Sequence, residues 1–219
     1  PFRDLLSMQF LYDYNQYLVS LTGNIVPSAC TVGFKDGIFV RFMDWGIPKG
    51  IGEFTETQVR GGITEVTFPG FMGCVTAYSD KMGFAMNQMP SYAIDFRGVC
   101  TPFFAKKFFQ AVARNNNSQR KLCATIHRVL SGFLQKGLVP MSAASFFFCS
   151  VDETFPVVVE YHPSKKNKSR WSFSFQNCVA NKFCEDSSLD KKFTQFIDGD
   201  DSKERMSQLK EILKAKDYK

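Results

Sequence analysis

Histidine is scarce in this sequence, with only His127 and His162 among 219 residues. No zinc-type Cys/His spacing can be built from two imidazoles placed this way, and the seven cysteines (30, 74, 100, 123, 149, 178, 184) include no C-x-x-C pair. Most of these thiols are expected to be buried as small apolar groups. Long apolar runs are also missing, and none approaches the length that spans a bilayer. No RNP motif, zinc finger or basic region is present. The net charge of +6 is scattered, apart from S-K-K-N-K-S-R at 164–170, which reads as a solvated hairpin tip, so no nucleic-acid partner is expected. Internal repeats and low-complexity tracts are lacking as well. The first residue is Pro1 and not Met, so the true start is expected upstream and the compartment stays open: cytoplasmic or secreted, and soluble in either case.

What is present is apolar bulk. Hydrophobic residues make up 44% of the chain, and 24 phenylalanines exceed what ordinary packing requires. The excess either lines an apolar pocket or fills a Phe-rich core. The length suits one domain with a sizeable core.

Residues 5–20 place apolar side chains near helical spacing until Gly23 and Pro27 break the pattern, which predicts a helix and then a linker ending at Cys30. A hairpin over 30–45 follows, with Asp36-Gly37 as a type I′ turn signal. Strands are expected near 63–68, 72–78 and 83–87. Thr101 as N-cap and Pro102 at the first helical position open a helix whose buried face carries Phe104, Phe108 and Val112. A second helix is expected from Ser118 to Gly137, a plausible C-terminal glycine. Strands return with SFFFCSV, PVVVEYH and RWSFSF. A last helix begins at Asp201, with Met206, Leu209, Ile212 and Leu213 as its apolar stripe. Strands, two helices, strands and a helix in that order argue for an α+β fold with sheets packed between helical layers.

The hairpin carries the chemistry. With Asp36 and Gly37 as loop residues, Cys30 falls opposite Met43 and Val32 opposite Arg41, so Cys30 and Arg41 share a face as diagonal neighbours. A guanidinium beside a cysteine favours the thiolate, the nucleophilic form. Asp44 lies on the other face of an ideal strand and joins them only if the strand bends near Met43. Activation also needs a base. Either histidine could supply one across the fold, giving a Cys-His hydrolase. Alternatively, cleavage between Ala29 and Cys30 would free an α-amine with a pKa of about 8, so that one residue becomes both nucleophile and base.

Cys30-Thr31 opening a strand, a turn, and Arg41-Phe42-Met43-Asp44-Trp45 ending the return strand together resemble the cysteine N-terminal nucleophile hydrolases. That family includes choloylglycine hydrolases, penicillin V acylases, acid ceramidase and isopenicillin N acyltransferase. M-Q-F-L-Y-D-Y is similar to the segment before the nucleophile in the acid-ceramidase-like branch. K-M-G-F-A-M-N-Q resembles a family strand ending in an oxyanion-stabilising asparagine, here Asn87. F-Q-N-C-V-A-N-K-F resembles the strand with a second catalytic asparagine, here Asn181, and D-S-K-E-R-M-S-Q-L a helix start whose arginine is here Arg205. Two departures are Phe42, where the family often has Asn, and a short interval between Cys30 and Arg41.

The resemblance implies a four-layer αββα sandwich of two mainly antiparallel sheets. It divides the chain into a propeptide-like segment 1–29, a candidate α-subunit part, and a hydrolase domain 30–219 that lacks its last strands. It implies an amidohydrolase that cleaves a non-peptide C–N bond of a small N-acyl amide through an acyl-Cys30 thioester, after autocleavage at Ala29-Cys30. Cys30, Arg41, Asp44, Asn87, Asn181 and Arg205 would form the site, with no cofactor and no metal. Phe68, Phe71, Phe103 and Phe104 would suit an acyl group, with a fatty N-acyl amide favoured. An acyltransferase using the same intermediate, or an uncleaved acyl- or lipid-binding protein of the same fold, are the alternatives, and homo-oligomerisation stays open.

Overall fold

The computed structural model describes residues 13, 29–44, 55–67, 71–89, 93–116, 121–163, 170–180 and 202–214. Two antiparallel sheets organise them. The smaller has the order β10-β1-β2, built from β1 (Ala29–Lys35), β2 (Ile38–Asp44) and β10 (Cys178–Val179). The larger follows chain order through β3 (Glu56–Arg60), β4 (Ile63–Thr67), β5 (Thr76–Tyr78), β6 (Met82–Gln88), β7 (Ala144–Ser150), β8 (Val157–His162) and β9 (Arg170–Ser174). The helices are α1 (Thr101–Asn115), α2 (Leu122–Gln135) and α3 (Ser202–Lys214).

Strand alternation sorts the side chains into layers. From β6, β7 and β8, Phe84, Met86, Phe146, Phe148, Val159 and Tyr161 pack against Phe104, Phe108 and Val112 of α1 and Leu122 and Ile126 of α2. The alternate residues, Ala85, Phe147, Cys149 and Val158, meet Val32, Phe34, Phe39 and Val179 of the small sheet. On the far side of the small sheet, Leu209 and Leu213 of α3 close on Val40 and Cys178. Gly33 permits that approach, because a Cβ there would lie 2.8 Å from Leu213 and 2.9 Å from Leu209. Helix pair, sheet, sheet and helix make the four-layer α+β sandwich that was expected.

Among the described residues, most phenylalanines are core or packed against it. Phe84 and Phe148 have ring centroids 5.0 Å apart, Phe108 and Phe148 5.1 Å, in tilted and edge-on contacts. Each such side chain contributes about 1.5–3 kcal/mol through burial.

The hairpin forms as its turn dictates. Asp36 has φ 50° and Gly37 φ 81°, the positive pair of a primed two-residue turn. At the end of α2, Gly137 (φ 68°) donates to Leu134 O at 2.9 Å and Leu138 donates to Phe133 O at 3.0 Å, which is a Schellman closure.

The helix starts differ from expectation. Thr101 is the first helical residue and not the cap; the side chain of Cys100 before it provides none, and Asp13, with helical backbone of its own, accepts the Thr101 N–H at 2.8 Å. Helix α2 begins at Leu122, whose N–H is accepted by the Glu153 carboxylate, while Ser118 lies outside the described residues. Both N-termini are thus capped by carboxylates from distant sequence. The strand expected over 72–78 is confined to 76–78, and β3 was not foreseen because its residues are almost all exposed. On α3, Ile212 points outward and Met206 is half-buried, which narrows the stripe to Leu209 and Leu213. The helix expected over 5–20 lies outside the described residues except for Asp13.

Candidate active site

The unbroken ladder pairs Cys30 with Met43 and Val32 with Arg41, which puts Cys30 and Arg41 on the inner face of the small sheet, as the turn predicts. Cys30 is 1% exposed. Arg41 spans the gap between the sheets: its Nη1 donates to Asn87 Oδ1, and its Nη2 donates to the Met86 carbonyl at 2.8 Å. Asn87 can meet it because residues 83, 85 and 87 of β6 face the small sheet. The Asn87 amide in turn donates from Nδ2 to the carbonyls of Val179 (3.3 Å) and Ala180 (3.1 Å). One buried amide therefore ties β2, β6 and β10 together.

Arg205 arrives from the opposite side. Its Nη1 donates to Thr31 Oγ1 at 2.6 Å and to the Cys30 carbonyl at 3.1 Å. Arg205, Leu209 and Leu213 are spaced by four, so one stripe of α3 presents the cation at the start of β1 and the leucines over Gly33. The arginine is half-buried, not a solvated surface charge.

Asp44 does not join the inner face. The ladder continues without a bulge to Ala29↔Asp44, so the bend at Met43 that would have turned it towards the Cys30 thiol does not occur. Register places it opposite Ala29, beside the Ala29-Cys30 peptide; its side chain lies outside the described residues. Asn181 also lies outside them, directly after Ala180.

His127 is not placed to serve Cys30. Its ring stacks on Phe173 at 3.9 Å with an interplanar angle of 8°, on the helix-covered face of the large sheet, the face turned away from the small sheet. His162 ends β8 opposite Arg170. Other thiols are held inert. Burial pushes Cys74 and Cys149 up to about 12, with Glu65 adding to the effect at Cys74. Burial and then the Asp13 carboxylate push Cys100 to about 12.

A cavity of about 390 Å³ opens between the sheets beneath the hairpin, lined by Phe34, Phe39, Arg41, Tyr78, Met82 and Val151 among others. The phenylalanines expected to line an acyl site do other work. Phe104 is core, Phe71 packs on that core, Phe103 lies under the Lys107 ammonium, and Phe68 lies outside the described residues. Phe34 and Phe39, a cross-strand pair of the hairpin, line the cavity instead. Their inward positions were readable from the same register that paired Cys30 with Met43.

The Asp13 cluster was not foreseen. Its carboxylate is fully buried, accepts from Ser142 Oγ and from the Thr101 N–H, and is joined by a Thr101–Ser142 hydroxyl contact of 2.9 Å. Gln88, adjacent to Asn87 but pointing to the other face of β6, donates to Ser142 Oγ at 2.6 Å. Burial raises the Asp13 pKa, partly offset by the Ser142 and Thr101 hydrogen bonds. The D-Y in M-Q-F-L-Y-D-Y was the only signal, and it named no partner.

No family model matches the chain, and no curated protein or solved structure is significantly similar to it. Among the described residues, no helix is long and apolar enough to cross a membrane.

Proposed function

We propose that this chain is a cysteine N-terminal nucleophile amidohydrolase that cleaves an N-acyl amide after scission between Ala29 and Cys30. The observation that carries the reading is the convergence on Cys30: Arg41 from β2 stands beside it and is fixed by Asn87 of β6, while Arg205 of α3 holds its carbonyl and the Thr31 hydroxyl. A cysteine buried for packing alone does not call for two arginines.

Scission frees the Cys30 α-amine. The thiolate attacks the amide carbon, the amine relays the thiol proton to the departing nitrogen, and water then hydrolyses the thioester. Arg205 keeps the first residue of the new chain end in place through a backbone carbonyl that scission does not remove. Asp44, opposite Ala29 in the ladder, borders the position of the new amine. Arg41 supplies positive charge to the inner face, and the apolar cavity beyond it suits the acyl part of the substrate.

The test is hydrolysis of a panel of N-acyl amides graded in acyl length by wild type, Cys30→Ala and Cys30→Ser. Turnover that vanishes in Cys30→Ala while the fold melts as before supports the reading. Equal turnover in wild type and Cys30→Ala overturns it.

A further inference from the structure

The sequence resemblance gives oxyanion stabilisation to Asn87, but the Asn87 amide is already committed, since Nδ2 donates to the Val179 and Ala180 carbonyls and Oδ1 accepts from Arg41. The residue directly across the ladder is Ser145 of β7, flanked on its other side by Glu160 of β8. Directly opposed residues share a face, so Ser145 looks into the space between the sheets from the same row as Asn87. It is 1% exposed, and its Oγ makes no hydrogen bond among the described residues. A buried hydroxyl left in that condition is destabilising, and each one calls for an explanation. The Thr67, Thr76, Thr125 and Ser174 hydroxyls are likewise unbonded among the described residues, but none stands opposite Asn87: Thr76 faces Ala85 across the ladder and lines the cavity, and Ser174 stands opposite Val158.

We propose that Ser145 is a catalytic residue: its Oγ–H donates to the substrate carbonyl oxygen as negative charge develops there, while Asn87 acts as the positioning residue for Arg41. This rests on the amidohydrolase reading. As the Cys30 sulfur bonds to the acyl carbon, the carbonyl π pair moves to oxygen and meets the Ser145 hydroxyl, which keeps its proton. Collapse restores the carbonyl, breaks the C–N bond and releases the amine with the proton relayed by the Cys30 α-amine. The donor is preorganised because β-sheet pairing fixes its backbone, and a dry setting strengthens the contact. The unmet hydrogen bond in the resting protein is then stored for the transition state.

The experiment uses the full chain and a fluorogenic probe, the dodecanoyl amide of 7-amino-4-methylcoumarin. Ser145→Ala is expected to lower kcat on the order of 10²–10³-fold, as loss of one oxyanion donor does, with KM little changed. It should melt no earlier than wild type, because an unbonded buried hydroxyl has been removed. Ser145→Thr, which keeps the hydroxyl on a strand-compatible side chain, should recover most of the turnover. Ser145→Cys, nearly isosteric with a weak donor, should fall between and covers the case in which the alanine variant fails to fold. Turnover in Ser145→Ala within twofold of wild type, with Cys30→Ala dead, overturns the role of Ser145 and leaves the amidohydrolase reading standing. A parallel fall in kcat and melting temperature that Thr does not rescue makes the residue structural and also overturns the proposal. If Cys30→Ala turns over the probe like wild type, or wild type does not hydrolyse it or any amide of the graded panel, the reading itself fails and takes the inference with it.

Discussion

Arg41 and Asn87 act as one unit across the two sheets: a guanidinium from the hairpin is held by an amide whose own donors grip β10. Hydrogen bonds to a charged group contribute about 1.5–3 kcal/mol each, and breaking one here leaves buried carbonyls unmet as well. Asn87→Ala is therefore expected to lower the unfolding free energy by about 2–4 kcal/mol in urea titration and to depress turnover strongly. Arg41→Lys should also impair turnover, since a point ammonium cannot bond Asn87 and the Met86 carbonyl in forked geometry. Wild-type stability in Asn87→Ala would contradict the unit.

Arg205 links α3 to the start of β1 through one side chain and one backbone oxygen. Thr31→Val removes only the hydroxyl partner, and Arg205→Ala removes both contacts. A double-mutant cycle on the pair should return a coupling of about 1–2 kcal/mol, read from chemical denaturation. Coupling near zero would mean that Arg205 holds the backbone alone.

Asp13 gives a pH dependence with a definite sign. Burial raises its pKa in the folded state, so the unfolded chain ionises first as pH rises. Its contribution is fully present below the unfolded carboxylate range near 4 and is lost as pH climbs through the raised folded value. Among the described groups around it, only the Cys100 thiol titrates, and at about 12 that thiol stays protonated throughout. Asp13→Asn should flatten this part of the stability profile from about pH 4 upward, measured as melting temperature against pH. An unchanged profile would remove Asp13 as its source.

Local rules carried the hairpin in full. Asp36-Gly37 fixed the turn, the turn fixed the register, and the register placed Cys30 and Arg41 together while withholding Asp44. The apolar periodicity of α1 and α3 likewise placed Phe104, Phe108, Leu209 and Leu213 correctly. What stayed hidden was long-range. Asp13 and Glu153 cap helices that begin 88 and 31 residues away, and no local pattern encodes such a match. The exposed strand β3 lacks the alternation that marks a half-buried strand, though Gly61-Gly62 before β4 was a hairpin signal. Ser145 sat within an apolar run, SFFFCSV, where a small polar residue reads as filler until Asn87 is seen across from it.

The central claim is that Cys30 becomes a chain end. Intact-mass analysis of the purified full chain, before and after prolonged incubation across a pH series, tests it most directly. The account predicts two species whose masses sum to that of the precursor plus one water, the larger beginning at Cys30, and a single intact mass for Cys30→Ala. An uncleaved wild-type chain that nonetheless hydrolyses N-acyl amides would contradict it.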